Sequence, residues 1–141
     1  MKHRPMQLLM VDDNSEDVEL FHRLFEEIAP EIEFSSASSA AQVLTLIGAG
    51  NRRLPDLILL DLKMPATDGH DLLAYLKAHP ELKPLPVVIL SASDHEDDVF
   101  RAYHGLASAY LIKPTTHQGC RAMVETLHGF WQHVSFPHIR N

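Results

Sequence analysis

The sequence is poor in the features that mark secreted, membrane-bound or nucleic-acid-binding chains. One cysteine, Cys120, in 141 residues can form no internal disulfide and completes no cysteine-based metal motif, which suits a reducing compartment. It is expected to be a small core residue. No apolar run is long enough to cross a bilayer, so no membrane association is expected. The charged start Met1-Lys2-His3-Arg4 leads into a short apolar stretch followed directly by acids. A signal peptide is therefore not expected, and a cytoplasmic location is. Basic residues are outnumbered, 12 Lys and Arg against 19 Asp and Glu for a net charge of −7. With no basic stripe to displace counterions from a phosphate backbone, nucleic acid is not an expected partner. Only 6 glycines and 9 prolines, beside 45% hydrophobic residues, exclude disorder and collagen-like repeats. The length predicts one domain, 1–141, with a core from about 6 to 134 and a tail from 135 to 141.

What is present is an alternation of short apolar runs with helical patterns, the signature of βαβ units winding a parallel sheet. The first strand reads Met6 to Val11 and is cut off by Asp12-Asp13-Asn14. A helix opens on Asn14 or Ser15, carries Glu16, Asp17 and Glu19 in its first turn as dipole partners, and ends before Pro30. Ile32 to Phe34 is a second strand. Ser38 or Ser39 starts a second helix, which Gly48 and Gly50 close, and Arg52 and Arg53 follow as solvated loop charges. The third strand, Asp56 to Leu60, is nearly unbroken in its apolarity, as suits a central parallel strand covered on both faces. Residues 64–69 read as a loop, followed by a helix to His79. Pro86 to Leu90 is the fourth strand. The acids Asp94, Glu96, Asp97 and Asp98 open the next helix as dipole partners, and Gly105 stops it. Ala109 to Ile112 is the fifth strand, and Cys120, Val124, Leu127, Trp131 and Val134 stripe the last helix.

Asp12 and Asp13, Asp61, Ser91 and Lys113 each stand where an apolar strand gives out. In an open parallel sheet ligands bind outside the carboxyl ends of the strands, so these residues converge. Each has a plainer reading alone, as turn, strand end, helix cap or surface charge, but the joint charge pattern is not what strand ends collect at random. Three carboxylates in one pocket repel unless a cation sits among them. The donors are all hard oxygens, which favours Mg²⁺, with Mn²⁺ as a substitute, over zinc or copper. Mg²⁺ takes one or two carboxylates together with phosphate oxygens. The expected substrate is therefore a phosphoryl group, with Lys113 and Ser91 to neutralise and hydrogen-bond its oxygens. Asp61 is the candidate nucleophile, because carboxylates form aspartyl phosphates and it ends the most buried strand.

These residues resemble the receiver domain of two-component response regulators. The resemblance covers about residues 6 to 134. It rests on Asp12-Asp13, on the run from Asp61 through Lys63, Met64 and Pro65 to Asp68-Gly69, on Ser91-Ala92, on Tyr110 and on Lys113-Pro114. It implies a flavodoxin-like α/β fold, a doubly wound five-stranded parallel sheet in the order 2-1-3-4-5 with five helices. It further implies Asp61 as phospho-acceptor, Asp12 and Asp13 as Mg²⁺ ligands together with Asp61, and Lys63 as a ligand through its backbone carbonyl. Ser91 would be the switch hydroxyl, Lys113 the phosphoryl-binding lysine and Tyr110 the switch aromatic, with a cis peptide before Pro114. Such a domain takes phosphoryl from a sensor histidine kinase. It is a signalling phospho-acceptor that catalyses only its own phosphorylation and dephosphorylation.

The stretch from His95 to Tyr103, with Phe130-Trp131, resembles single-domain regulators that accompany phytochrome-type kinases. With no output domain expected, output would pass by protein contact, to a histidine phosphotransfer protein or another target, and a homodimer through the last helices is expected. The rival is an Mg²⁺-dependent aspartyl-phosphate phosphatase of the haloacid-dehalogenase type, which needs a second aspartate where Lys63 stands. A flavodoxin-like cofactor binder is disfavoured by the acidic rim and by the lack of a glycine-rich phosphate loop. The 10 histidines are scattered, His133 and His138 are too loosely spaced to inform, and all are expected at the surface.

Overall fold

Apolar side chains on both faces of a strand demand a cover on both sides, and the helices supply it. The computed structural model describes residues 5–48, 53–64 and 67–137. Gly50, Arg52, Pro65, Ala66 and His138, to which the sequence assigned places, lie outside them. The elements run β1 (Gln7–Val11), α1 (Ser15–Ile28), β2 (Glu33–Ala37), α2 (Ala40–Ile47), β3 (Leu57–Leu60), β4 (Lys63–Met64), β5 (Thr67–Asp68), α3 (Gly69–Ala78), β6 (Val87–Ser91), α4 (Glu96–His104), β7 (Ala109–Ile112) and α5 (His117–Trp131). Five parallel strands form one sheet in the order β2-β1-β3-β6-β7. With the small β4-β5 ribbon set aside, this is the expected order 2-1-3-4-5 of a flavodoxin-like fold.

Side chains alternate along each strand and build two cores. Leu9, Val11, Ile58, Leu60, Val87 and Ile89 face Val43, Leu72, Leu73, Leu76 and Ala102 of α2, α3 and α4. Leu8, Met10, Leu57, Leu59, Val88 and Leu90 face Phe21, Phe25, Cys120, Val124 and Trp131 of α1 and α5. There Phe25 stacks on Trp131, with ring centroids 6.1 Å apart. Cys120 is buried as expected. Val134 and Phe136 pack against the same cluster. Among the described residues no helix is long and apolar enough to cross a membrane.

Several boundaries moved for physical reasons. The second strand runs over Glu33–Ala37, because its register with β1, from Gln7 opposite Glu33 to Val11 opposite Ala37, is set by backbone pairing. Its polar Ser35 and Ser36 lie on the sheet edge and hide the strand from hydrophobic pattern. The loop after Asp61 contains an antiparallel ribbon pairing Lys63 with Asp68 and Met64 with Thr67. Arg53 is not a solvated charge: it binds Asp56 at 2.7 Å and the Pro5 carbonyl at 2.6 Å. Helix α4 does end at Gly105, yet the left-handed residue is the next one, Leu106, with φ 76°. Leu106 N–H donates to the Tyr103 carbonyl and Ala107 N–H to that of Ala102, the paired bonds of a Schellman cap. The Lys113–Pro114 peptide is trans, as is every described peptide bond. Trans is the cheaper isomer before proline, and from it Lys113 reaches its partners.

Candidate functional site

The strands end in step, and the backbone ladder fixes where each polar side chain begins. Asp61 N–H donates to the Val11 carbonyl at 2.9 Å, and Asp12 N–H to that of Ala37 at 3.0 Å. Lys113 N–H donates to the Ser91 carbonyl at 2.8 Å. Asp12, Asp61, Ser91 and Lys113 therefore share one rim. Their exposures are low for polar residues, 2% for Asp12, 6% for Asp61 and 0% for Ser91, while Asp13 is exposed.

Carboxylate oxygens of Asp12, Asp13 and Asp61 lie within 4.8 Å of one another. At an effective dielectric near 20, two full charges at that separation repel by about 3.5 kcal/mol. Lys113 meets part of this charge. Its ammonium lies 2.5 Å from Asp12 Oδ2, 2.9 Å from Asp17 Oδ2 and 3.4 Å from Asp61 Oδ2. One ammonium against four carboxylates leaves three negative charges at full ionisation, and the all-oxygen donor set fits a hard divalent cation. Burial pushes the Asp12 carboxyl up from its ordinary value, against the hydrogen bonds from Lys113 and the Asn14 N–H. Burial also works to lower Lys113, but its hydrogen bonds to Asp12 and Asp17 outweigh this and hold the ammonium above the usual lysine value.

Of the remaining predicted residues, Lys63 touches this cluster directly. Lys63 N–H donates to Asp61 Oδ1 at 3.1 Å, and the Lys63 ammonium engages Asp98 at 3.1 Å. Ser91 Oγ accepts from Ser93 N–H at 3.3 Å, and Tyr110 donates its hydroxyl to the Ser93 carbonyl at 2.8 Å. The hydroxyl and aromatic singled out in the sequence thus both contact residue 93.

Three participants escaped sequence reading. Asp17, expected as a dipole partner, holds Lys113. Its signal was its place in the first turn of α1, whose cap, Asn14, follows directly on the acidic pair. Asp98, expected in the same role, accepts from Ser93 Oγ at 2.6 Å and pairs with Lys63. His70, expected at the surface, is buried, because α3 begins tight beneath β3. A Cβ on Gly69 would stand 2.6 Å from both the Asp61 carbonyl oxygen and Leu62 Cα. Only glycine permits that approach.

Comparison with known proteins places the fold. The family described as the response regulator receiver domain matches residues 8–125. The chain is 37% identical over 130 residues to the probable methanogenesis regulatory protein FilR2 of Methanothrix harundinacea, covering 90% of this chain and 84% of that one. It is 31% identical to response regulator Rcp1 of Synechocystis, covering 94% of each. The crystal structure of the Mn²⁺-bound form of Rcp1 superposes with a TM-score of 0.86 over 94% of this chain and 99% of that one. The phosphorylated cyanobacterial phytochrome response regulator RcpA, 31% identical, also superposes with a TM-score of 0.86, over 94% of this chain and 98% of that one.

Proposed function

Because the chain belongs to the response regulator receiver domain family, we propose that it switches a protein-interaction surface when Asp61 accepts a phosphoryl group from a sensor histidine kinase. Asp61 Oδ2 attacks phosphorus as the phosphohistidine P–N bond breaks, while Oδ1 stays on the Lys63 N–H. Asp12, Asp13, Asp61 and the Lys63 carbonyl are the residues that would hold Mg²⁺, or Mn²⁺ in its place. That ion supplies charge neutralisation for the carboxylates and the phosphoryl oxygens. Lys113 turns its ammonium from Asp12 towards the incoming dianion. Ser91 then leaves the Ser93 N–H for a phosphoryl oxygen, and Tyr110 follows into the space given up. The phosphoryl group favours this state because only there does it gain the Ser91 contact.

The observation that carries the reading is the gathering of three carboxylates, Asp12, Asp13 and Asp61, within 4.8 Å, with the Lys113 ammonium on two of them, Asp12 and Asp61. The test is incubation with acetyl phosphate and Mg²⁺ followed by intact mass. The wild-type chain should gain one phosphoryl group and Asp61→Asn none; full labelling of that variant removes Asp61 from the role.

The domain would act in the cytoplasm as one receiver unit, catalysing only its own phosphorylation and dephosphorylation. Its likeness to Rcp1 and RcpA supports a phytochrome-type kinase as donor, with a histidine phosphotransfer protein or another protein as target. A homodimer through the last helices is supported by Phe100 and Phe130, exposed by 74% and 62%. Phe130→Ser should then elute as a monomer on sizing while still accepting phosphoryl.

A further inference from the structure

Asp98 is held by two groups and flanked by a third. Its Oδ2 accepts the Ser93 hydroxyl at 2.6 Å and pairs with the Lys63 ammonium at 3.1 Å. Its Oδ1 lies 3.5 Å from Nε2 of the buried His70. It thus joins α4, the strand end of β6, the start of α3 and the ribbon that follows the acceptor. Lys63 is two residues beyond Asp61, and its side chain is 59% exposed. Asp98 is what holds that ammonium, while Lys113 serves the acceptor carboxylates.

We infer that Asp98 is a positioning residue: it retains the Lys63 ammonium on α4, so the lifetime of a phosphoryl group on Asp61 depends on Asp98 through Lys63. This rests on Asp61 being the acceptor. Hydrolysis of the aspartyl phosphate forms a bond from water oxygen to phosphorus and breaks the bond from phosphorus to the Asp61 oxygen. It releases inorganic phosphate, with the water proton passing to solvent. A lysine two residues from the acceptor and free to turn is drawn to the phosphoryl dianion, where it binds the outer oxygens and obstructs the entering water. The Asp98 carboxylate, fixed by Ser93 and beside His70, competes with the dianion for that ammonium and keeps the approach open.

The experiment labels the full chain with acetyl phosphate and Mg²⁺, removes the donor, and follows loss of the phosphoryl group by intact mass. Asp98→Asn should lose it at least threefold more slowly than wild type and bind beryllium trifluoride, a phosphoryl analogue, more tightly. Asp98→Glu, which keeps the charge, should move both values back towards wild type. In a Lys63→Ala background Asp98→Asn should change nothing further, a result that general loosening of α4 would not give. Asp98→Ser serves with the same outcomes if the Asn variant does not fold. An unchanged lifetime, or an equal change with Lys63 absent, overturns the inference alone. A wild-type chain that takes no label overturns the acceptor assignment and this inference with it.

Discussion

Lys113 and Asp12 are 101 residues apart in sequence, and their side chains meet at 2.5 Å. The contact is possible because β1 and β7 end on the same side of the sheet, with β3 and β6 between them. The ammonium draws Asp12, Asp17 and Asp61 together and neutralises one of their charges. It therefore favours the folded arrangement and, by the same charge, opposes a second cation among the carboxylates.

That opposition gives the first prediction. Lys113→Met removes a positive charge within a few ångströms of the carboxylates, so divalent-cation affinity should rise, by at least about threefold at low salt, with the gain shrinking as salt is added. Phosphoryl uptake should fall in the same variant, because nothing then meets the phosphoryl oxygens from that side. Calorimetric titration with Mg²⁺ reads the first effect and acetyl phosphate labelling the second. A fall in cation affinity would mean that Lys113 orders the carboxylates more than it repels the ion.

Asp13 has the opposite sign. It is the exposed member of the cluster, so Asp13→Ala should leave folding stability within about 0.5 kcal/mol. Mg²⁺ affinity should drop about tenfold or more, the scale seen when even outer partners of a metal site are lost. A titration indistinguishable from wild type would remove Asp13 from the ligand set.

The sequence revealed most where burial and chemistry coincide. Leu57 to Leu60 announces a central strand, and the polar residue after each buried strand marks the rim. It was silent where geometry comes from pairing or from a distant partner. Ser35 and Ser36 carry no apolar signal, yet backbone bonds to β1 make them strand. Asp17 and Asp98 look like ordinary first-turn acids, and only the fold brings Lys113 and Lys63 to them. The ribbon after Asp61 is short, with Lys63 opposite Asp68 and Met64 opposite Thr67, and such brief pairing leaves no periodicity to read.

Leu106 offers a stability test away from the site. Its φ of 76° puts a side chain in the left-handed region, at about 1–2 kcal/mol for a residue with a Cβ. Leu106→Gly relieves that strain but gives up unfolded-state restriction worth about 0.5–1 kcal/mol. The side chain is half exposed, so little burial is lost. The net should be a stabilisation of about 0.5 kcal/mol, read from urea midpoints. A destabilised variant would mean that the Leu106 side chain packs more usefully than its exposure indicates.

Asp98 contributes to the acid side of the stability profile. The Ser93 hydroxyl, and after it Lys63 and His70, outweigh its burial and hold the carboxyl at about 2, below its ordinary 3.8. A group with a depressed folded-state value contributes stability that is complete above its unfolded value and is lost as pH falls towards the folded one. Wild type should therefore exceed Asp98→Asn in stability by a constant margin from neutral pH to about pH 5. The margin should narrow between roughly pH 4 and pH 2, as protonation takes the charge from wild type too. Urea unfolding at pH 7, 5, 4 and 3 follows the margin directly. If it stays level down to pH 3, the carboxyl is being held by shape and hydrogen bonding alone, and the charge it presents to Lys63 has no part in anchoring α4 to the β4-β5 ribbon.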